Sequence, residues 1–281
     1  MATAVTRQVE ARPRSVVTTT PLPKQGWIKE HETVVIGATA VIVFFIAWEG
    51  IAAARIMSRL FFPGPVDVWQ AFGDWYQSGE LGIDITTSAQ EFLTGYILAA
   101  LVAIPLGLII GWYGRIRAAL DPFITFFYAT PRIVLLPLLI IWLGIGIESK
   151  VAVVFLGAFF AMVINTTAGV RSLDTSLLRV ARSFGAKDLT IFRTIALPGS
   201  VPFILTGLRL GIGHALVGVV VGEYVAAQHG VGRMMAIAGN TFQSDKVFAG
   251  LIIIALAGLI LTYILQRLEH HFDAWRPQQL H

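Results

Sequence analysis

Arg132, Asn165, Arg209, His214 and Glu223 stand in long apolar stretches of this sequence, and each carries a charge, a titratable ring or an amide. An ionisable group inside a bilayer costs roughly 3 kcal/mol on insertion scales, so such groups turn toward a bundle interior or a water-filled path. The chemistry open to this set is electrostatic steering and solvation of a passing solute. Bond breaking is a poor fit, because no nucleophile–base pair and no cluster of His, Asp and Glu at ligand spacing accompanies it. His270-His271 lacks further ligands at suitable spacing and reads as the charged end of a helix with Arg267 and Glu269, so no metal is expected. There is no cysteine, which excludes thiol catalysis and disulfides. No Gly-x4-Gly-Lys-Ser/Thr phosphate loop occurs, and Gly144-Ile-Gly146 lacks the lysine. The chain is therefore expected to bind no cofactor and to hydrolyse no ATP itself.

Two readings of Arg132 stand. Next to Pro131 it could face a water-filled path and attract an anion, or it could cap carbonyls that the proline leaves free. Arg209 and Glu223 are 14 residues apart, near four helical turns, so they share a face without touching. Glu223 suits either a gate or a solvated helix end, and His214 suits either the path or the core. Gly207, Gly211 and Gly218 lie close to one stripe, where small residues let helices approach closely.

The elements that must position these residues are membrane spans. The chain is 56% hydrophobic and only 14% charged, against about 25% charged in soluble domains. A span needs roughly 20 mostly apolar residues. Six stretches qualify: Thr33 to Ala54, Thr86 to Trp112, Ala118 to Gly144 (broken by Pro131 and Pro137), Val151 to Val170, Val201 to Ala226 and Val247 to Gln266. Residues 1–32 hold Arg7, Arg12, Arg14, Lys24 and Lys29 among prolines and threonines, without an apolar run of signal-peptide length, and read as a flexible tail. The expected organisation is this tail, a membrane domain over 33–275 and a short tail over 276–281, all-α throughout.

An even number of spans puts both termini on one side, and Lys/Arg bias says which. With the termini in the cytoplasm, the inner segments hold fourteen Lys/Arg and the outer segments five: Arg55, Arg59, Lys150, Arg233 and Lys246. The chain is thus expected to be a multi-pass protein of the cell (inner) membrane with cytoplasmic termini, surrounded by lipid and without a nucleic-acid partner.

Two connections are too long for turns. After Pro63-Gly64-Pro65, Val66, Trp69, Phe72 and Tyr76 recur at helical spacing, which suits either a short helix on the outer surface or a partly buried loop. The inner segment 171–200 is charged yet periodically apolar. It reads as two short helices around Gly185-Ala186, with Asp174 capping the first through its carboxylate. Ordered loops of this length are often functional.

Within it, Arg179-Val180-Ala181-Arg182-Ser183-Phe184-Gly185-Ala186-Lys187-Asp188, followed by Ile195, Leu197 and Pro198, resembles the EAA loop of permease subunits in binding-protein-dependent ABC importers. Ala181, Gly185, Ile195, Leu197 and Pro198 fit that pattern at its spacing. Arg179 departs from the usual Glu and Val180 from the frequent Ala. Further blocks resemble the taurine, aliphatic sulfonate and nitrate branch: Phe62-Pro-Gly-Pro65, Leu136-Pro-Leu-Leu-Ile-Ile-Trp-Leu-Gly-Ile-Gly146, Leu197-Pro-Gly-Ser-Val-Pro-Phe-Ile-Leu-Thr-Gly-Leu-Arg209 and Phe248-Ala-Gly250.

The resemblance implies the type I importer permease fold, six spans with cytoplasmic coupling helices. It implies a second permease copy, two cytoplasmic ATPase subunits that bind ATP and Mg and dock on residues 179–188 with Ile195, Leu197 and Pro198, and an extracytoplasmic binding protein. It also implies a small solute such as a sulfonate, taurine or nitrate. Arg209 falls where the family also has Arg, which points to a shared structural or coupling role. Mechanically, Gly185 lets the backbone turn tightly and a partner approach, and Pro198 suits a break before the fifth span. The alternative is an ATPase-independent carrier or channel. Such carriers use intramembrane acidic relays or inverted repeats, and deep acidic residues look scarce here, with no duplication in the sequence.

Overall fold

The computed structural model describes residues 32–271, apart from the side chains of Thr33, Arg132, Ala226, His270 and His271. The two tails and the Arg132 and His270-His271 side chains therefore lie outside the described residues. Helices form nearly everything described. Two compact units divide the chain, residues 1–47 and 48–281. In the first, residues 32–47 begin α1 (Glu32–Ala53), which is apolar on all sides and exposes Val34, Ile36, Phe44 and Ile46 alike. A helix that is apolar all round matches hydrocarbon rather than water.

The second unit is built on three long helices: α3 (Glu80–Trp112), α6 (Ile147–Arg171) and α9 (Leu197–Ala226). α6 packs along its length between the other two, and the core lies in the two seams. Phe92, Ala99 and Ile110 of α3 meet Val154, Ala158 and Met162 of α6, which meet Ile212, Ala215 and Val219 of α9. Glycine sets the spacing. A Cβ at Gly95 or Gly107 of α3 would fall 2.7 Å from the Cβ of Val154 or Thr166, and one at Gly218 of α9 would fall 3.0 Å from the Cα of Val154. The α9 glycines of the sequence stripe thus face α6 within the same chain: Gly207 and Gly211 abut Asn165 and Met162. Without a hydrophobic force between helices in lipid, such close backbone approach is what gains dispersion energy.

Among the described residues, five helices are long and apolar enough to cross a membrane: residues 34–53, 80–112, 147–171, 188–225 and 244–269. A sixth span exists if α4 (Gly114–Ala129) and the following Ile133–Leu143, bent by 88° against it, count as one. Pro131 produces the bend. It disfavours helical geometry at Thr130, which is extended at ψ 126°. A 3-10 turn (Arg132–Leu135) then leads into α5 (Leu136–Leu143). Pro137 breaks nothing. It sits in the first turn of α5, where an N–H is not needed.

Pro198 corrects an expectation. The chain does not break there: helix runs from α8 (Asp188–Ile191) through Phe192–Ala196 into α9. The proline cannot donate to the preceding turn, and the helix absorbs this by widening. Phe192–Ala196 is a π-helical turn, and the Leu197 N–H reaches the Phe192 carbonyl five residues back.

The surface helix after Pro63 exists as α2 (Pro65–Gln77), not as a loop. Its buried face is Val68, Ala71 and Trp75, whereas Val66, Trp69 and Tyr76 are exposed. Helix α7 (Thr175–Ser183) precedes α8 in the inner segment. Two helices close the chain, α10 (Val231–Asn240) and α11 (Ser244–His271). α10 is a short amphipathic helix between the fifth and sixth spans.

Candidate functional site: coupling surface, solute path and buried charges

The α7–α8 segment is built as the sequence suggests, and its local bonds say why. Asp174 is the N-cap, its Oδ1 accepting the Ser176 N–H at 2.7 Å. Hydrogen bonds from Ser176 hold the Asp174 carboxyl below the usual carboxylate range. At the other end the helix closes in a Schellman motif: the Ala186 N–H reaches the Ala181 carbonyl at 3.1 Å and the Gly185 N–H reaches that of Arg182 at 2.9 Å. This geometry puts Gly185 at φ +75°, a left-handed conformation that L side chains avoid. Open space surrounds the position where its Cβ would be, so conformation rather than crowding selects glycine. Arg182 and Asp188 pair at 3.6 Å across the turn.

Leu177, Val180 and Phe184 lie at i, i+3 and i+7 and are exposed, Phe184 by 88%, with Leu189 of α8 exposed beside the turn. Among the described residues this apolar stripe on a short polar helix is left uncovered, and exposed apolar patches of this kind mark interaction surfaces in general. Arg179, Val180, Arg182, Ser183, Phe184, Gly185, Lys187 and Asp188 are exposed, while Ala181 and Ala186 are half-buried. Ile195 and Pro198 are half-buried and Leu197 is exposed, so these three belong to the stem below the face. The stem is anchored by buried Ile191 and by the edge-on contact of Phe192 with Trp112, ring centroids 5.4 Å apart. The stem continues as helix into α9.

The pore candidates do not converge on one point. Half-buried Asn165 donates its amide to the Ala161 carbonyl of its own helix at 2.8 Å. Arg209 pairs with Glu269, tying α9 to α11. His214 is half-buried and lines a cavity of about 290 Å³ with Ile133, Val153, Gly157, Val217 and Gly218. Gly157 and Gly218 let α6 and α9 close on each other beside it: a Cβ at Gly157 would fall 2.7 Å from the His214 carbonyl oxygen and one at Gly218 3.0 Å from the Val154 Cα.

Glu223 belongs to a cluster at the opposite end of the bundle from Gly185, and sequence reasoning missed its other members. Asp84, Ser88 and Glu91 of α3, Lys150 of α6 and Glu223 of α9 are all buried. Glu223 accepts the Ser88 hydroxyl at 2.5 Å and the Gly232 N–H at 2.6 Å. Ser88 accepts the Val231 N–H at 3.0 Å, and Asp84 accepts the Gly230 N–H at 2.7 Å and the Trp75 indole N–H at 3.0 Å. The free N–H groups at the start of α10 are thus satisfied by side chains of α3 and α9. Lys150 Nζ stands 3.0 Å from Glu91. A solvated end for Glu223 is excluded, and deep carboxylates are not scarce. The missed signal was the i, i+4, i+7 spacing of Asp84, Ser88 and Glu91, which a helix start at Thr86 cuts through.

Comparison with known proteins agrees with this architecture. Residues 103–274 match the family described as binding-protein-dependent transport system inner membrane component. A probable ABC transporter permease of Brucella abortus is 39% identical over 77% of this chain and 86% of its own length. The putative aliphatic sulfonates transport permease of Bacillus subtilis is 33% identical over 90% of this chain and 89% of its own. The taurine transport permease of Escherichia coli is 32% identical over 91% and 94%. Among solved structures, the MetNI methionine ABC transporter in an inward-facing conformation superposes with a TM-score of 0.61 at 16% identity, covering 70% of this chain and 96% of that one, a likeness of fold. With the type I permease architecture, the EAA-like turn at Gly185 and these relatives in agreement, the chain belongs to the inner-membrane components of binding-protein-dependent transport systems, the membrane-spanning subunits of ABC importers.

Proposed function

We propose that this permease passes a small anion of the sulfonate, taurine or nitrate kind from an extracytoplasmic binding protein to the cytoplasm, driven by ATPase subunits seated on α7–α8. The observation that supports the docking assignment is the exposed Leu177, Val180 and Phe184 stripe, linked through the turn at Gly185 to the 188–225 helix. Residues 179–188 form the seat and Ile195, Leu197 and Pro198 the stem. A rigid seat on a continuous helix moves α9 as a lever when the ATPases close. Two copies of this chain line the path, and the termini face the cytoplasm, as the Lys/Arg bias favours.

The solute class follows the relatives named for sulfonates and taurine. A further relative, of Halalkalibacterium halodurans, is named for formylaminopyrimidine transport at 28% identity. Within the path, His214 and its small cavity are the contact, and Arg132 supplies the charge that draws an anion in. Asn165, Arg209 and Glu223 hold the helices around it.

The test is a tagged pull-down from mild-detergent membranes, with mass spectrometry, ATPase assay and uptake in liposomes. A stoichiometric ATPase, lost with Gly185→Trp, supports the assignment. Uptake without any ATPase contradicts it and leaves an independent carrier. Arg132→Gln is expected to slow anion uptake several-fold with assembly intact. Unchanged uptake kinetics remove Arg132 from the path.

A further inference from the structure

A groove of about 240 Å³ opens on the flank of the bundle between α3 and α11, two helices long and apolar enough to span a membrane. Its floor is Phe92 of α3, Val219 of α9 and Val231 of α10, all buried. Its rim is Ile85 and Leu93 of α3 and Ile260 of α11, all exposed. The two flanking helices pack on α9 and α10 rather than along each other, which leaves the gap.

The lining decides what can enter. Its one polar side chain is Ser88, whose hydroxyl donates to Glu223 and accepts the Val231 N–H. An anion finds no free donor among these side chains, and burying it unpaired is costly. The groove also faces away from the cavity beside His214. Leu216 and Val219 line the groove, whereas His214 and Val221 line that cavity. Leu216 follows His214 by two residues and Val219 precedes Val221 by two, about 200° around α9 in each case. The end of α1 is held elsewhere. Its Trp48 packs on Phe248 of α11, ring centroids 5.6 Å apart. Ala257, which lines the groove, lies nine residues on from Phe248, about 180° around the helix.

The groove spans residues 85–93 on α3 and 253–261 on α11. Each stretch rises about 12 Å, less than the roughly 15 Å of hydrocarbon in one leaflet. Apolar side chains around an unfilled gap forfeit dispersion contacts that hydrocarbon restores. We propose that this groove binds one acyl chain of a membrane phospholipid, drawn from the leaflet on the α10 side, as a seated ligand distinct from the surrounding bilayer. The chain runs between Leu93 and Ile260 and rests on Phe92, Val219 and Val231, closing the gap between α3 and α11. The proposal needs only that these two helices span the membrane. It is independent of the solute and of the ATPase seat.

The test uses the full-length protein with its co-purifying subunits, in nanodiscs of phosphatidylcholine that carries a diazirine at mid-chain. After irradiation, mass spectrometry maps the adducts. Adducts at Leu93 and Ile260 are expected to be several-fold denser than at Ile97 and Leu259, which are at least as exposed on the same two helices. Filling the groove with Ala89→Phe or Ala257→Phe is expected to remove that excess and to leave the adducts at Ile97 and Leu259 unchanged. The comparison within the unaltered protein decides even where a filled variant assembles poorly. Adducts at Leu93 and Ile260 no denser than at the two reference positions overturn the proposal, because bulk lipid or a protein segment then covers the groove. An excess that survives in both filled variants overturns it as well.

Discussion

At the scale of single residues, burial marks the charged side chains that tie helices together. Lys150 is the counter-charge of a cluster with three buried carboxyls. Removing one partner of a buried ion pair commonly costs about 3–5 kcal/mol, because the other charge is left uncompensated. Lys150→Met is expected to destabilise by that order, read as a large loss of melting temperature in detergent or nanodiscs. A melting temperature within a degree or two of the unaltered protein would show that Lys150 carries no such role. Arg209 and Glu269 make a second tie, between α9 and α11, more open to the surroundings. Coupling energies of contacting pairs run to about 0.5–3 kcal/mol. A cycle of Arg209→Met, Glu269→Leu and the double variant is expected to show the double variant more stable than the sum of the singles. Strict additivity would contradict the tie.

At the scale of elements, the long apolar helices were legible because length and composition alone define them. Thr33 to Ala54 and Val151 to Val170 fall within a few residues of α1 and α6. What the sequence hid has physical causes. α3 begins at Glu80, six residues before the apolar run, because polar residues at its start are buried against α10 rather than exposed to lipid. α9 continues through Pro198, because a π-helical turn takes up the missing hydrogen bond. The turn at Gly185 was legible, since a Schellman closure asks for glycine at one position. Spacing between helices is also an element property. Gly107→Val is expected to destabilise by about 1–3 kcal/mol, because its Cβ would lie 2.7 Å from that of Thr166 and 2.9 Å from the Val163 carbonyl oxygen. A thermal melt checks it, and an unchanged melt would mean that α3 and α6 are free to part.

At the scale of the whole molecule, the exposed α7 stripe stands at one end of the bundle and α10, held by Asp84, Ser88 and Glu223, at the other. α6 lies between α3 and α9. Family membership was legible from a few blocks around Gly185 and Leu197-Pro198, because docking to a partner constrains local geometry. The cavity beside His214 was not, because it depends on which faces of α6, α9 and the 132–135 turn meet, and a hydropathy profile carries no face. Pore candidates chosen by polarity alone therefore scatter: Arg209 toward α11, Glu223 toward α10, and His214 into the α6–α9 cavity.

The central claim, that α7–α8 is the seat of an ATPase, has a direct test in the absence of cysteine from the sequence. Phe184→Cys makes a unique thiol at the most exposed apolar position of the turn. Cross-linking it in native membranes, followed by mass spectrometry, is expected to join the permease to a phosphate-loop ATPase, and ATP is expected to change the yield. A cross-link-free permease that still imports its solute would contradict the account.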